Sequence, residues 1–339
     1  MIVVLTKEAT KEQLAHVVES VEAKGLKSHI IYGTDRTVVA AVGDKRDVDK
    51  GALENLAGVE KIVPILSPFK VASHEVKKDK TVVRIGKDSP GFGSDTLTVI
   101  AGPCSIEDRN QMLDVAHACK ECGARALRGG AFKPRTSPYS FQGLGEKGLQ
   151  ILAEAREATG LPIVTEVLTT ADVPLVSSYA DVLQIGARNM QNYMLLEATG
   201  RQPKPVLLKR GMSATMEEFL LAAEYVINAG NKNVILCERG IRTFEEYCRN
   251  TQALSIVPAI HRVSHLPIIV DPTHGTGHAY MVESMSLAAA AIGADGLIIE
   301  VHPDPEHALT DAAQQINPEQ FKKLMARLSR VAQAVDKNL

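Results

Sequence analysis

The chain has 339 residues, a formal net charge of -2, 45% hydrophobic and 23% charged residues. That suits a globular protein with room for one large domain and a small one. Near-neutral charge gives no general attraction to nucleic acid or an acidic membrane, and the lack of Trp argues against a base-stacking platform. The N-terminal MIVVLTKEATKEQ does not read as a signal peptide and no apolar run reaches membrane-spanning length. Five cysteines, an odd number, fit a reducing cytoplasm better than a disulfide framework.

Residues 1–66 read as a βαββαβ unit. Strands are expected at Met1–Thr6, His29–Tyr32, Thr37–Val42 and Val59–Leu66, with Pro64 suggesting an edge. Helices are expected at Lys11–Lys24, where Leu14, Val17, Val18 and Val21 recur at helical spacing, and at Val48–Leu56. This order is the split arrangement of an α+β ferredoxin-like domain. It holds no cluster of His, Cys and carboxylates, so no chemistry is assigned to it. Residues 67–95, rich in lysine and ending in Ser89-Pro90-Gly91-Phe92-Gly93-Ser94, read as a linker. Within them Thr81–Ile85 is expected as a short strand capping the next domain.

From residue 96 to 339 apolar, β-branched runs alternate with helical stretches. Strands are expected at Leu97–Gly102, Ala124–Arg128, Pro162–Glu166, Val182–Ile185, Pro205–Lys209, Asn233–Cys237, Pro267–Val270 and Gly296–Val301. Helices follow near Gln111–Glu121, Lys147–Ala158, Val173–Tyr179, Tyr193–Ala198, Met216–Asn228, within Phe244–Ile260, and at His278–Ile292 and Pro318–Val335. Eight such units imply a buried parallel sheet of α/β class, closed as a (β/α)8 TIM barrel, with an open doubly wound sheet as the alternative.

A barrel demands chemistry at strand C-termini. The ends carry Cys104, Arg128 with Lys133, Glu166, Gln184 with Arg188, Lys209 with Arg210, Glu238 with Arg239, Asp271 with His274, and Glu300 with His302. The second strand leads into Leu127–Gly143, LRGGAFKPRTSPYSFQG, where Arg128, Lys133 and Arg135 sit among glycines, prolines and the hydroxyls of Thr136 and Ser137. Cations on a stiff loop beside hydroxyl and N–H donors suit phosphate. With Arg188, Lys209 and Arg239 they form a cationic group fit for more than one phosphate or carboxylate, although some would simply pair with Glu166 or Glu238. A second group, Cys104, His274, Glu300 and Asp311, offers thiolate, imidazole and carboxylate donors for a divalent first-row metal, provided closure brings strands one, seven and eight together. Cys119-Lys120-Glu121-Cys122 falls near a helix C-terminus and reads as structural. Gly275-Thr276-Gly277 lacks the context of a dinucleotide loop.

Ala101-Gly102-Pro103-Cys104-Ser105, Lys133-Pro134-Arg135-Thr136-Ser137, Gln184-Ile185-Gly186-Ala187-Arg188-Asn189, Leu208-Lys209-Arg210-Gly211, Cys237-Glu238-Arg239-Gly240, Asp271-Pro272-Thr273-His274 and Glu300-Val301-His302 come in one order. The set resembles the 3-deoxy-D-arabino-heptulosonate 7-phosphate synthases of type I beta, some of which carry a ferredoxin-like regulatory domain. The related 3-deoxy-octulosonate 8-phosphate synthases share A-G-P-C but usually replace K-P-R-T-S with a K-A-N-R-S version. The resemblance implies condensation of phosphoenolpyruvate with erythrose 4-phosphate, opening the shikimate pathway; arabinose 5-phosphate is the alternative second substrate. It implies that Arg128, Lys133, Arg188, Lys209 and Arg239 hold phosphoenolpyruvate, with Ala187 beside Arg188. Arg135, Thr136 and Ser137 would hold the sugar phosphate, and Glu166 and Asp271 would support the site. Cys104, His274, Glu300 and Asp311 would ligate Mn, Fe, Co, Zn or a similar ion, and Lys133, Cys104 and His274 would be catalytic. It further implies a cytoplasmic homo-oligomer, with a tetramer favoured, and an aromatic amino-acid effector at residues 1–66. A Schiff-base aldolase using Lys209 is the competing chemistry, and a barrel that only binds is a third reading.

Overall fold

The computed structural model describes residues 1–33, 36–43, 50–63, 68–86, 91–134 and 137–339. The chain divides into two compact units, residues 1–80 with 262–265, and residues 81–261 with 266–339. The first contains β1 (Ile2–Leu5), α1 (Lys11–Glu22), β2 (Lys27–Tyr32), β3 (Thr37–Val42), α2 (Lys50–Glu54) and β4 (Val59–Val63). Its strands form an antiparallel sheet in the order β2-β3-β1-β4. Strand alternation sorts the side chains. Val3 and Leu5 pack with Val17 and Val21 of α1, while Ile2 and Val4 turn to the other face with Ala40 and Val76. Thr10 and Gln13 start α1 with a reciprocal capping box. The expected turn at Thr34-Asp35, the helix start at Val48, and Pro64–Leu66 lie outside the described residues.

The second unit runs β5 (Thr98–Gly102), α3 (Arg109–Glu121), β6 (Ala126–Arg128), α4 (Glu146–Thr159), β7 (Ile163–Glu166), α5 (Val173–Tyr179), β8 (Val182–Ile185), α6 (Tyr193–Gly200), β9 (Val206–Lys209), α7 (Met216–Asn228), β10 (Val234–Glu238), α8 (Ile256–Val263), β11 (Ile268–Val270), α9 (Pro272–Thr276), α10 (Ala279–Ala291), β12 (Gly296–Glu300) and α11 (Pro318–Ala334). Strands β5 to β12 close into an all-parallel barrel. Their near-continuous apolar sequence follows from burial on both faces, against the barrel interior and the helices. Ile100, Val164, Leu207, Ile235, Ile269 and Ile298 meet inside. Val83, Ile85 and Phe92 join that cluster, with Val83 and Phe92 bridged antiparallel. Phe92 lies against Gly296, the first residue of β12, so this bridged pair fills the N-terminal end and leaves the opposite end for side chains at the strand termini.

The helix expected within Phe244–Ile260 is α8, which begins at Ile256 and runs to Val263. The preceding residues form a closed loop because the buried Glu238 carboxylate accepts the N–H groups of Gly240 and Ala253, while Ile241 pairs with Thr251. Among the described residues no helix is long and apolar enough to cross a membrane.

Candidate active site

The C-terminal end of the barrel holds a cavity of about 410 Å³. Arg128 ends β6, Glu166 ends β7, Lys209 ends β9, and Arg239 directly follows β10. These four side chains all line the cavity. Two glycines allow the crowding beneath. Gly102 has φ 149°, and a Cβ there would lie 2.1 Å from the Arg128 carbonyl oxygen. A Cβ on Gly130 would strike the Cys104 carbonyl and the Lys133 side chain.

The cations fall into two kinds. Arg128 is buried, with NH1 2.9 Å from Glu300 Oε1. Lys209 Nζ is 2.5 Å from Asp271 Oδ2. Arg210 turns away from the cavity and pairs with Glu238 at 3.0 Å. Arg188, on the short turn Ala187–Asn189, and Arg239 line the cavity with no ion pair among the described residues. Arg239 is 5% exposed, its NH1 has no hydrogen-bond partner, and burial draws the guanidinium below its usual range despite Asp271. A buried cation that is only partly compensated is costly unless an anion arrives. Ser137 and Ala187 also line the cavity, as does Glu166, which accepts a hydrogen bond from Gln184 Nε2 at 3.2 Å. Arg135 and Thr136 lie outside the described residues.

Below the cations sits the mixed donor set. Ligand atoms of Cys104, Glu300 and Asp311 lie within 4.8 Å of one another. His274 Nε2 is 3.5 Å from Glu300 Oε1 and 4.0 Å from Asp311 Oδ2. Burial opposes ionisation of Asp271, but His274 and Lys209 outweigh it and hold the carboxyl well below its ordinary range. As a carboxylate it only accepts, so His274 Nδ1 donates to it at 2.8 Å; burial lowers the imidazole, and in its neutral form Nε2 carries a lone pair toward the other donors. Glu300 is likewise opposed by burial, yet His274, Arg128 and Lys133 hold it at about 2. Burial pushes the Cys104 thiol up to about 12, Glu300 adds to the rise, and Lys133 opposes it. Lys133 Nζ donates to Cys104 Sγ at 3.0 Å and to its carbonyl oxygen at 3.1 Å. Burial works against the Lys133 ammonium, but Cys104 and Glu300 hold it protonated. Glu300 Oε1 is buried without a hydrogen bond, since the Arg128 contact lacks the alignment for one. Sulfur, nitrogen and oxygen donors around that orphaned oxygen suit a divalent first-row ion.

Sequence reasoning passes over three features of this site. Gln314 and Gln315 are 2% and 1% exposed and bond to Glu300 and to the Cys104 amide. Adjacent glutamines in a polar loop carry no signal of this. Arg249 lines the cavity and reaches Gln314 and Asp311. The one-turn helix α9 presents His274, with Asp271 accepting the His274 N–H at 2.9 Å. Its signal was legible, since Asp followed by Pro is a helix start. The five cysteines are all free thiols, and Cys119 is buried in α3.

The profile of the DAHP synthetase I family matches residues 74–336, and that of the DAHP synthase ferredoxin-like domain matches residues 1–67. Phospho-2-dehydro-3-deoxyheptonate aldolase of Thermotoga maritima is 51% identical over 335 residues, covering 99% of this chain and 98% of that relative. A 2-dehydro-3-deoxyphosphooctonate aldolase of Bradyrhizobium is 34% identical over 266 residues, covering 73% and 90%. The crystal structure of the Thermotoga maritima enzyme, titled a DAHP synthase, superposes with a TM-score of 0.79 at 50% identity over 99% of this chain and 98% of that one. A truncated form gives 0.74 at 48% identity over 79% and 98%. The chain belongs to the DAHP synthetase I family.

Proposed function

We propose that the barrel mouth condenses phosphoenolpyruvate with erythrose 4-phosphate to 3-deoxy-D-arabino-heptulosonate 7-phosphate and phosphate, the first step of the shikimate pathway. The observation that carries this reading is Arg239, a buried guanidinium with no ion pair among the described residues, beside Arg188 and two ion-paired cations over a mixed-donor set. Arg128, Lys133, Arg188, Lys209 and Arg239 hold the carboxylate and phosphate of phosphoenolpyruvate. Arg135, Thr136 and Ser137 hold the sugar phosphate. Cys104, His274, Glu300 and Asp311 hold the divalent ion, which supplies Lewis acidity at the aldehyde oxygen when bound.

The chain's own residues account for the rest. The cations fix C3 of the enol phosphate against the aldehyde carbon, removing the entropy of a bimolecular encounter. A C–C bond forms, the aldehyde oxygen takes a proton from the Lys133 ammonium, and positive charge grows at C2. Water adds to C2 and returns a proton to the Lys133 amine. The hemiketal phosphate then breaks its C–O bond: phosphate leaves with both bond electrons and takes up the hemiketal hydroxyl proton as C2 becomes a ketone. Phosphoenolpyruvate labelled with oxygen-18 at the bridging position tests this order. The label must appear in inorganic phosphate, release must need both substrates, and chelation must abolish it; label retained in the organic product would refute the mechanism.

Residues 1–66 read as the regulatory domain, 67–95 as linker and cap, and 96–339 as catalytic barrel. We assign an aromatic amino-acid effector to the first of these, a homotetramer to the assembly and the cytoplasm to the enzyme. The ferredoxin-like match supports the effector assignment and the five free thiols the compartment.

A further inference from the structure

The residues that bind nothing themselves but touch the donor set are two adjacent amides. Asp311 adopts the left-handed conformation, φ 50° and ψ 36°, and a short turn, Ala312–Gln314, follows it. This turn brings Gln314 and Gln315 back beneath the loop. Gln314 Nε2 donates to Glu300 Oε2 at 2.7 Å and lies 3.5 Å from Asp311 Oδ2. Its Oε1 accepts from Arg249 NH1 at 2.8 Å. Gln315 Oε1 accepts the Cys104 N–H at 2.9 Å, and its Nε2 donates to the Thr310 carbonyl at 2.8 Å. Ser105 and Thr310 hydroxyls, 2.7 Å apart, close the same loop.

The chemistry of Gln314 is specific. A neutral amide can donate toward two carboxylates with one end and accept from a guanidinium with the other. A glutamate there would face Glu300 and Asp311 with like charge. By engaging Oε2 of Glu300, the amide leaves Oε1, the oxygen without a hydrogen bond, directed at His274 Nε2 and Arg128. Arg249 fixes the amide's rotation and lines the substrate cavity.

We propose that Gln314 is a positioning residue for the metal-binding set: it selects which Glu300 oxygen faces the ion, holds Asp311 beside it, and is itself held by Arg249. This rests on the reading of Cys104, His274, Glu300 and Asp311 as metal ligands. Outer partners of metal ligands typically govern affinity by about 10–100-fold. Gln314→Met keeps the length and removes both amide ends.

The test uses the full-length, chelator-treated protein titrated with cobalt(II) without substrates, followed by the thiolate-to-cobalt absorption. Measurements are made at a temperature where circular dichroism shows parent and variant fully folded. The expected result is a dissociation constant raised at least tenfold in Gln314→Met, with altered ligand-field bands at saturation. A smaller change overturns the proposal, whatever happens to the melting temperature. If the variant does not fold, Arg249→Met decides by sign. Loss of a neighbouring cation alone would tighten cobalt binding, whereas release of the Gln314 amide weakens it, so tighter or unchanged binding overturns the proposal. A parent protein with no stoichiometric thiolate band would refute the metal reading and this inference together; a parent that binds while the variant binds equally well refutes this inference alone.

Discussion

Arg239→Met should move stability and activity in opposite directions. Arg239 is 5% exposed, its NH1 lacks a partner, and burial dominates its depressed pKa, with Asp271 opposing and Arg249 contributing. In the substrate-free protein this charge is a cost. Replacing buried charge with apolar bulk is often neutral or stabilising by about 1–4 kcal/mol. With Asp271 as partial compensation, we expect about 1–2 kcal/mol of stabilisation, at the lower end of that range. Binding phosphoenolpyruvate removes the cost, and two charge-assisted hydrogen bonds at about 1.5–3 kcal/mol each are then lost in the variant. That is about 3–6 kcal/mol, or roughly a 10²–10⁴-fold drop in kcat/KM for phosphoenolpyruvate. Calorimetry and steady-state kinetics on one preparation read both signs. A lower melting temperature with an unchanged KM would mean that Arg239 props up the barrel, and the anion argument would fail.

Lys209→Met leaves the buried Asp271 with the His274 hydrogen bonds alone and should cost stability at the lower end of about 3–5 kcal/mol as well as activity, read by denaturant unfolding. Borohydride with both substrates should leave the mass of Lys209 peptides unchanged; an adduct would restore the Schiff-base alternative. His265 supplies a pH signature. Burial, opposed by a hydrogen bond to the Val71 carbonyl, lowers it from 6.5 to about 4. A folded pKa below the unfolded one means that the unfolded chain binds the extra proton. The stabilisation is therefore complete above about 6.5 and is lost as pH falls toward 4, by about 3 kcal/mol for one group. His265→Gln should flatten that limb of the unfolding curve, and an unchanged limb would refute the assignment. Deleting residues 1–66 should preserve catalysis and abolish inhibition by an aromatic amino acid, and inhibition that persists would place the effector elsewhere.

The barrel strands were legible because burial on both faces leaves a run such as Val234–Glu238 apolar until its last residue. The strand-end rule then pointed to Arg128, Glu166, Lys209 and Arg239 without any knowledge of distance. What sequence could not supply was pairing. Lys209 and Arg239 look alike in the chain, yet one is matched by Asp271 and the other by nothing among the described residues. The helix expected within Phe244–Ile260 starts only at Ile256, because Glu238, itself held by Arg210, pins two backbone amides across the residues before it. Gln314 failed to stand out for a similar reason. Its importance comes from Glu300 and Arg249, which only folding brings to it.

The most direct measurement compares kcat/KM for phosphate release from phosphoenolpyruvate with erythrose 4-phosphate and with arabinose 5-phosphate, before chelation and after metal is restored. The four-carbon sugar should be strongly preferred, and activity with it should vanish on chelation and return with a divalent ion. Equal or better turnover of arabinose 5-phosphate, or full activity after chelation, would contradict the account.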